Sequence, residues 1–170
     1  IAAQLAALSD IVNQGKPYQA ELSALEETAS FTLNLPALSA NAASGIKTTD
    51  QLKQDLAEIK AELDTASASE KAAAEASSGL WGAIAGKLSS VVKVRKVTGT
   101  ADWTEHAATA LAALDTGGLG AAVTALGAGG ASAPGPVAAW MVEARKRQSA
   151  DQELQKLPQI ILGHLPAPAQ

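Results

Sequence analysis

Alanine constrains this chain more than any other feature. It supplies 39 of the 170 residues and leucine another 20, whereas valine and isoleucine together give only 15. Ala and Leu lose little side-chain freedom in a helix, while strands favour β-branched and aromatic side chains. Aromatic residues are 3% of the chain, too few for a β-rich core. The composition predicts an all-α fold: an antiparallel helical bundle with short helical hairpins and one amphipathic basic helix. The length fits one domain or two small ones.

Charge and cysteine content remove several function classes. Lys and Arg number 13 against 17 Asp and Glu, a formal net charge of -4. A general nucleic-acid binder would need a basic face, so nucleic acid is not an expected partner. With no cysteine, disulfides, thiol catalysis and zinc sites built on Cys are excluded. There is no run of roughly eighteen apolar residues to span a bilayer. Nor does a basic stretch followed by an apolar one mark a signal peptide. The chain opens at Ile1 already in helical pattern and reads as a fragment, with any anchoring segment expected outside it.

Apolar spacing predicts the elements. Leu5, Leu8, Ile11 and Val12 share one face of a first helix that Gly15 ends. Lys16-Pro17 restarts the chain, with Pro17 suited to a first helical position, and Tyr18, Leu22 and Leu25 form the next stripe. A shorter piece covers Leu33 to Leu38 and ends near Gly45. From Thr49, Leu52, Leu56, Ile59 and Leu63 repeat at helical spacing; Thr65 to Ser78 then offers no large apolar residue and reads as a solvated helix end or a hinge. Further on, Trp103, His106, Ala107, Ala110, Leu111 and Leu114 should face inward on a helix broken by Gly117-Gly118. Leu119, Val123 and Leu126 mark its short partner, and Gly127 to Pro136 a loop. A last helix from near Val137 carries Trp140, Met141, Ala144, a basic cluster at Arg145 to Arg147, then Leu154 and Leu157; Pro158 should stop or kink it.

One segment departs from this pattern. Up to Gly79 there are eleven acids and five bases; from Thr98 onward, six acids and four bases. Leu80 to Val97 holds Lys87, Lys93, Arg95 and Lys96 and no acid. At 100° per residue, Leu80, Trp81, Ile84, Ala85, Leu88, Val91 and Val92 fall in one arc of roughly 140°. Small residues and Lys lie opposite, with Arg95 inside the apolar arc, so the regular helix should end near Lys93. Helices lying in a membrane interface have this pattern, and anionic lipid is the partner it suits. A core helix packed on the rest of the domain is the other reading. The boundaries that follow are 1–78 for an N-terminal helical region (the end of a coiled coil plus short helices) and 79–97 for the amphipathic lipid-binding segment. Residues 98–164 would form a second helical domain, with 165–170 a loose tail.

Catalytic constellations are poor. His106 and His164 are the only imidazoles, and neither stands in metal-ligand spacing. No Gly-x-Ser-x-Gly occurs, Gly117-Gly118-Leu119-Gly120 lacks the Gly-Lys-Ser/Thr of a phosphate loop, and the glycines from Gly127 to Gly130 follow no strand. The carboxylates are scattered over helix faces. Neither enzymatic activity nor a bound metal or cofactor is expected.

The order of motifs carries a resemblance. Gly15-Lys16-Pro17-Tyr18, Glu21-Leu22-Ser23-Ala24-Leu25 and Gly45-Ile46-Lys47-Thr48 come first, then Leu88-Ser89-Ser90-Val91-Val92-Lys93-Val94-Arg95. The helix from Trp103 to Leu114, Thr116-Gly117-Gly118-Leu119-Gly120-Ala121-Ala122, and Ala139-Trp140-Met141-Val142-Glu143-Ala144-Arg145 follow. In this order, over roughly residues 10 to 157, the chain resembles the alphaproteobacterial mitofilin-like proteins. The resemblance implies a mitofilin domain at 98–164 and an inner-membrane protein facing the periplasm, anchored by a segment outside this chain. It implies a scaffold related to crista-junction formation that binds and shapes membrane, self-associates into a homo-oligomer and contacts outer-membrane assembly machinery. The lipid-binding positions would be Leu80, Trp81, Ile84, Lys87, Leu88, Val91, Val92, Lys93, Arg95 and Lys96, with Trp140 and Arg145 in partner binding or self-association. Alternatives from the residues alone are a soluble helical-repeat-like adaptor in the cell envelope, presenting short antiparallel helices to a protein partner, and an accessory subunit of an envelope enzyme.

Overall fold

The computed structural model describes the backbone of residues 1–29, 31–84, 100–130 and 132–164, and the side chains of these except 73–84 and 100–102. Seven helices account for most of the described chain: α1 (Ala2–Asn13), α2 (Gln19–Thr28), α3 (Pro36–Asn41), α4 (Thr49–Ile84), α5 (Thr100–Thr116), α6 (Gly118–Gly127) and α7 (Gly135–His164). No strand occurs among the described residues, and the fold is all-α. The tail from 165 lies outside them.

Three local expectations need correction. No hinge interrupts α4, which continues unbroken through Thr65 to Ser78 into Ile84. Its start explains part of this: Thr48 N–H donates to Gln51 Oε1 at 2.9 Å while Gln51 N–H donates to Thr48 Oγ1 at 3.1 Å. That reciprocal pair satisfies donors at the helix start, and Ala, Glu and Lys propagate what it nucleates. Pro158 does not stop α7, because Leu157 and Ile161 on either side of it are buried and hold the segment against the core. Pro17 lies before the first residue of α2, whose N-cap is Tyr18.

The chain divides into two compact units, one of residues 1–53 and 139–170, the other of 54–138. In the first, Leu8 and Val12 of α1, Leu22 and Leu25 of α2 and Leu38 of α3 join Ala150, Leu157 and Ile161 of α7 in one apolar cluster. Two glycines let the loops around it meet. Gly15 and Gly45 have φ of +72° and +77°, the left-handed region where a Cβ is unfavourable. A Cβ on Gly45 would lie 2.7 Å from the Gly15 carbonyl oxygen, so the segments after α1 and α3 touch backbone to backbone.

In the second unit α5 and α6 form a hairpin across Gly117 and Gly118, the latter at φ +73°. Trp103, Ala107, Ala110 and Leu114 are buried as their spacing predicts, whereas His106 and Leu111 are half-buried. On α6 the interior is Ala122 and Leu126; Leu119 and Val123, expected inside, are half-buried.

Candidate functional site

Of the ten positions proposed for lipid, Leu80, Trp81 and Ile84 belong to the last turns of α4, with side chains outside the described residues. Lys87, Leu88, Val91, Val92, Lys93, Arg95 and Lys96 lie wholly outside them. What is described is the approach. Every side chain from Asp64 to Ala72 is exposed apart from a half-buried Ser67.

The two positions assigned to partner binding have different surroundings. Trp140 is buried at 3% exposure, and its indole N–H donates to the Leu52 carbonyl at 2.7 Å. That bond satisfies its one polar atom inside the first unit. Arg145 is exposed.

The basic cluster on α7 separates into three environments. Arg145 points to solvent, Lys146 pairs with Glu143 at 2.7 Å, and Arg147 is buried. The Arg147 guanidinium reaches the end of α1: Nη1 donates to the Val12 carbonyl at 3.0 Å and Nη2 to Asn13 Oδ1 at 2.6 Å. Its Nε faces Asp151 at 2.9 Å. A cation there meets the negative end of the α1 dipole and the Val12 carbonyl, which also accepts from Gly15 N–H at 3.1 Å just past the helix.

Six residues further along α7, Glu153 does the converse. Its two carboxylate oxygens accept from Ala37 N–H and Leu38 N–H, both at 2.9 Å, at the start of α3. Pro36 opens that helix and has no N–H, so the carboxylate serves the two donors that follow. Tyr18 lies in the same region. Its hydroxyl donates to the Leu38 carbonyl at 2.8 Å, and its pKa is raised from 10.0 to about 12. Burial is the main cause and the Glu153 carboxylate adds to it, while Arg147 acts in the opposite direction.

These polar contacts tie helices together. Among the described residues no three His, Asp or Glu side chains converge closely enough to hold a metal. His164 stacks on Phe31 with ring centroids 4.0 Å apart, and its Nδ1 lies 2.9 Å from the Ile160 carbonyl. His106 lies beside Trp103 at 5.7 Å between ring centroids. A shallow groove of about 380 Å³ runs past Gly15, Asn41, Gly45 and Lys146, where Glu143 already engages the lysine. No described helix is long and apolar enough to cross a membrane. Comparison with protein families, with curated proteins and with solved structures finds no match.

Proposed function

We propose that this chain is a non-enzymatic membrane-organising scaffold that binds anionic lipid through Leu80 to Lys96 and shapes the membrane it binds. The observation that carries the reading is the inversion of charge and side-chain type at Leu80: an acidic, Ala-rich chain gives way to eighteen residues with four bases, no acid and an arc of Leu, Ile, Val and Trp. Each base near an anionic surface is worth about 1 kcal/mol, and each fully inserted Leu, Ile or Val about 1.5–3 kcal/mol. Those terms suffice for reversible docking. By the mitofilin resemblance the scaffold would act at the inner membrane from the periplasmic side, as a homo-oligomer, with an outer-membrane assembly protein as a further partner.

Two variants of the chain test this with anionic vesicles. Replacing Lys87, Lys93, Arg95 and Lys96 by Glu should abolish flotation at low salt and leave the thermal melt unchanged. Replacing Trp81 and Ile84 by Asp should abolish vesicle remodelling at low salt, because charge alone docks the protein without wedging the leaflet. Were the segment a core helix, the Asp pair would bury unpaired charge and the melt would collapse, which overturns the reading.

A second reading, a helical adaptor for a protein partner, is favoured by the α5–α6 hairpin, where Leu119 and Val123 stay half-buried on a helix without a charged residue. Unaltered chain that fails to float with anionic vesicles would favour the adaptor.

A further inference from the structure

Beyond Leu63, α4 turns polar and rich in Ala. Leu52, Leu56 and Leu63 are buried, and beyond them Asp64 to Ala72 is exposed apart from the half-buried Ser67. From Asp64 to Gly79 the chain contains no apolar residue larger than Ala and no Pro, yet the helix passes through it to Ile84. A coiled-coil partner does not explain the stretch. The spacing of Leu52, Leu56, Ile59 and Leu63 continues onto Ala66, Glu70, Ala73 and Ser77, which offer no seam. The helix is supported by its capped start, by residues that favour helix and by the Lys60–Asp64 pair at 2.7 Å.

We propose that residues 64–79 are a rigid helical spacer that fixes the distance and the rotational phase between Leu63 and the membrane-binding segment. This rests on the membrane reading. At 1.5 Å per residue the spacer sets Leu80 about 25 Å along the axis from Leu63. Because one unbroken helix carries both, the direction in which the segment's first turn faces follows from the packing of Leu52, Leu56 and Leu63. A flexible linker of equal length would preserve docking and lose that direction, so orientation is what the helix adds.

The protein has no cysteine, so spin labels can be placed by E58C and S78C alone. In the lipid-free chain the spacer gives a narrow distance distribution near 30 Å, against a broad one near 25 Å for a flexible segment. A broad distribution overturns the proposal whatever the chain does with lipid. The second measurement uses anionic vesicles. Inserting Ala-Ala after Ala72 turns the segment by about 200°, whereas duplicating residues 66–72 turns it by only about 20°. The first insertion should lose remodelling while flotation is kept, and the second should retain both. Equal remodelling by the two overturns the orienting role. Absence of flotation by the unaltered chain overturns the membrane reading instead, and the label distances still decide the spacer.

Discussion

The first unit and the α5–α6 hairpin are both helical, and they are held together in different ways. The first unit buries large side chains: Leu8, Leu25 and Leu38 come from short helices that could not persist alone, Tyr18 and Ile46 from the connections and Leu157 from α7, which also ties two ends of the short helices with charge. Arg147 holds the C-terminus of α1 and Glu153 the N-terminus of α3. The hairpin is held by close packing. Its interior is Ala107, Ala110 and Ala122 with Leu114 and Leu126, closed at one end by Trp103 over Gly129. Small side chains let two helices lie close, whereas α3, six residues long, draws on an outside carboxylate. The first unit should therefore break through its polar ties, and the hairpin through its contact distance.

Arg147→Ala is the largest expected effect. It leaves Asn13 Oδ1 without its donor and the Val12 carbonyl with only the Gly15 N–H, removes the partner of Asp151 and deletes a packed aliphatic stem. A loss of about 3–4 kcal/mol is expected in denaturant unfolding. Arg145→Ala, two residues away and exposed, should change stability by less than about 0.5 kcal/mol. Similar losses for the two would mean that Arg147 is no more deeply engaged than Arg145.

That distinction shows where sequence reading stops. Helical periodicity places Leu8, Val12, Leu22 and Leu25 inside correctly, because each belongs to a stripe whose only alternative is water. The same periodicity holds a clue to Arg147: with Trp140, Ala144, Leu154, Leu157 and Ile161 it continues one stripe at spacings of three, four and seven. Read beside Arg145 and Lys146 it looks like a surface cluster; read by phase it lies on the buried face. What phase cannot supply is the partner, 135 positions away in the chain at Val12. The same limit hides the bond from Glu153 to α3, more than a hundred positions apart. In the hairpin, spacing picks the apolar residues of α6 but not which of them turn inward, since Leu119, Ala122, Val123 and Leu126 all fit. Of the lipid-binding positions, the sequence offers charge and an apolar arc, and seven of the ten lie outside the described residues.

Tyr18 gives the next effect, and it is specific to pH. Its hydroxyl keeps its proton in the folded protein to about 12, while the unfolded chain releases it near 10.0. Below pH 10 both states hold the proton and the contribution to stability is intact. Between 10 and 12 the unfolded state loses its proton first, so stability should fall by roughly 1.4 kcal/mol per pH unit and level off beyond. It is the only tyrosine in the chain, so tyrosinate absorbance reports this group alone. A midpoint near 10 in the folded protein would refute the burial argument, and Tyr18→Phe should flatten the decline.

The smallest effect concerns the hairpin and separates two nearby glycines. A Cβ at Gly129 would sit 2.5 Å from Cη2 and 2.6 Å from Cζ3 of Trp103, whose ring is 4% exposed. A buried indole cannot swing aside as the end of a long chain can, so Gly129→Ala must shift either the ring or the turn after α6. Overpacking of this kind costs about 1–3 kcal/mol, and the lower part of that range fits a turn with freedom to move on one side. At Gly127, the last residue of α6, a Cβ would meet nothing within 4 Å. Gly127→Ala should then stabilise the protein by about 0.4–1 kcal/mol, since Ala loses less backbone freedom on folding. Opposite signs for the two substitutions, read from denaturant midpoints, would show that the hairpin is set by how closely Trp103 approaches the backbone. A loss at both positions would mean that this end of the hairpin depends on glycine's backbone freedom, and the contact-distance argument would fail.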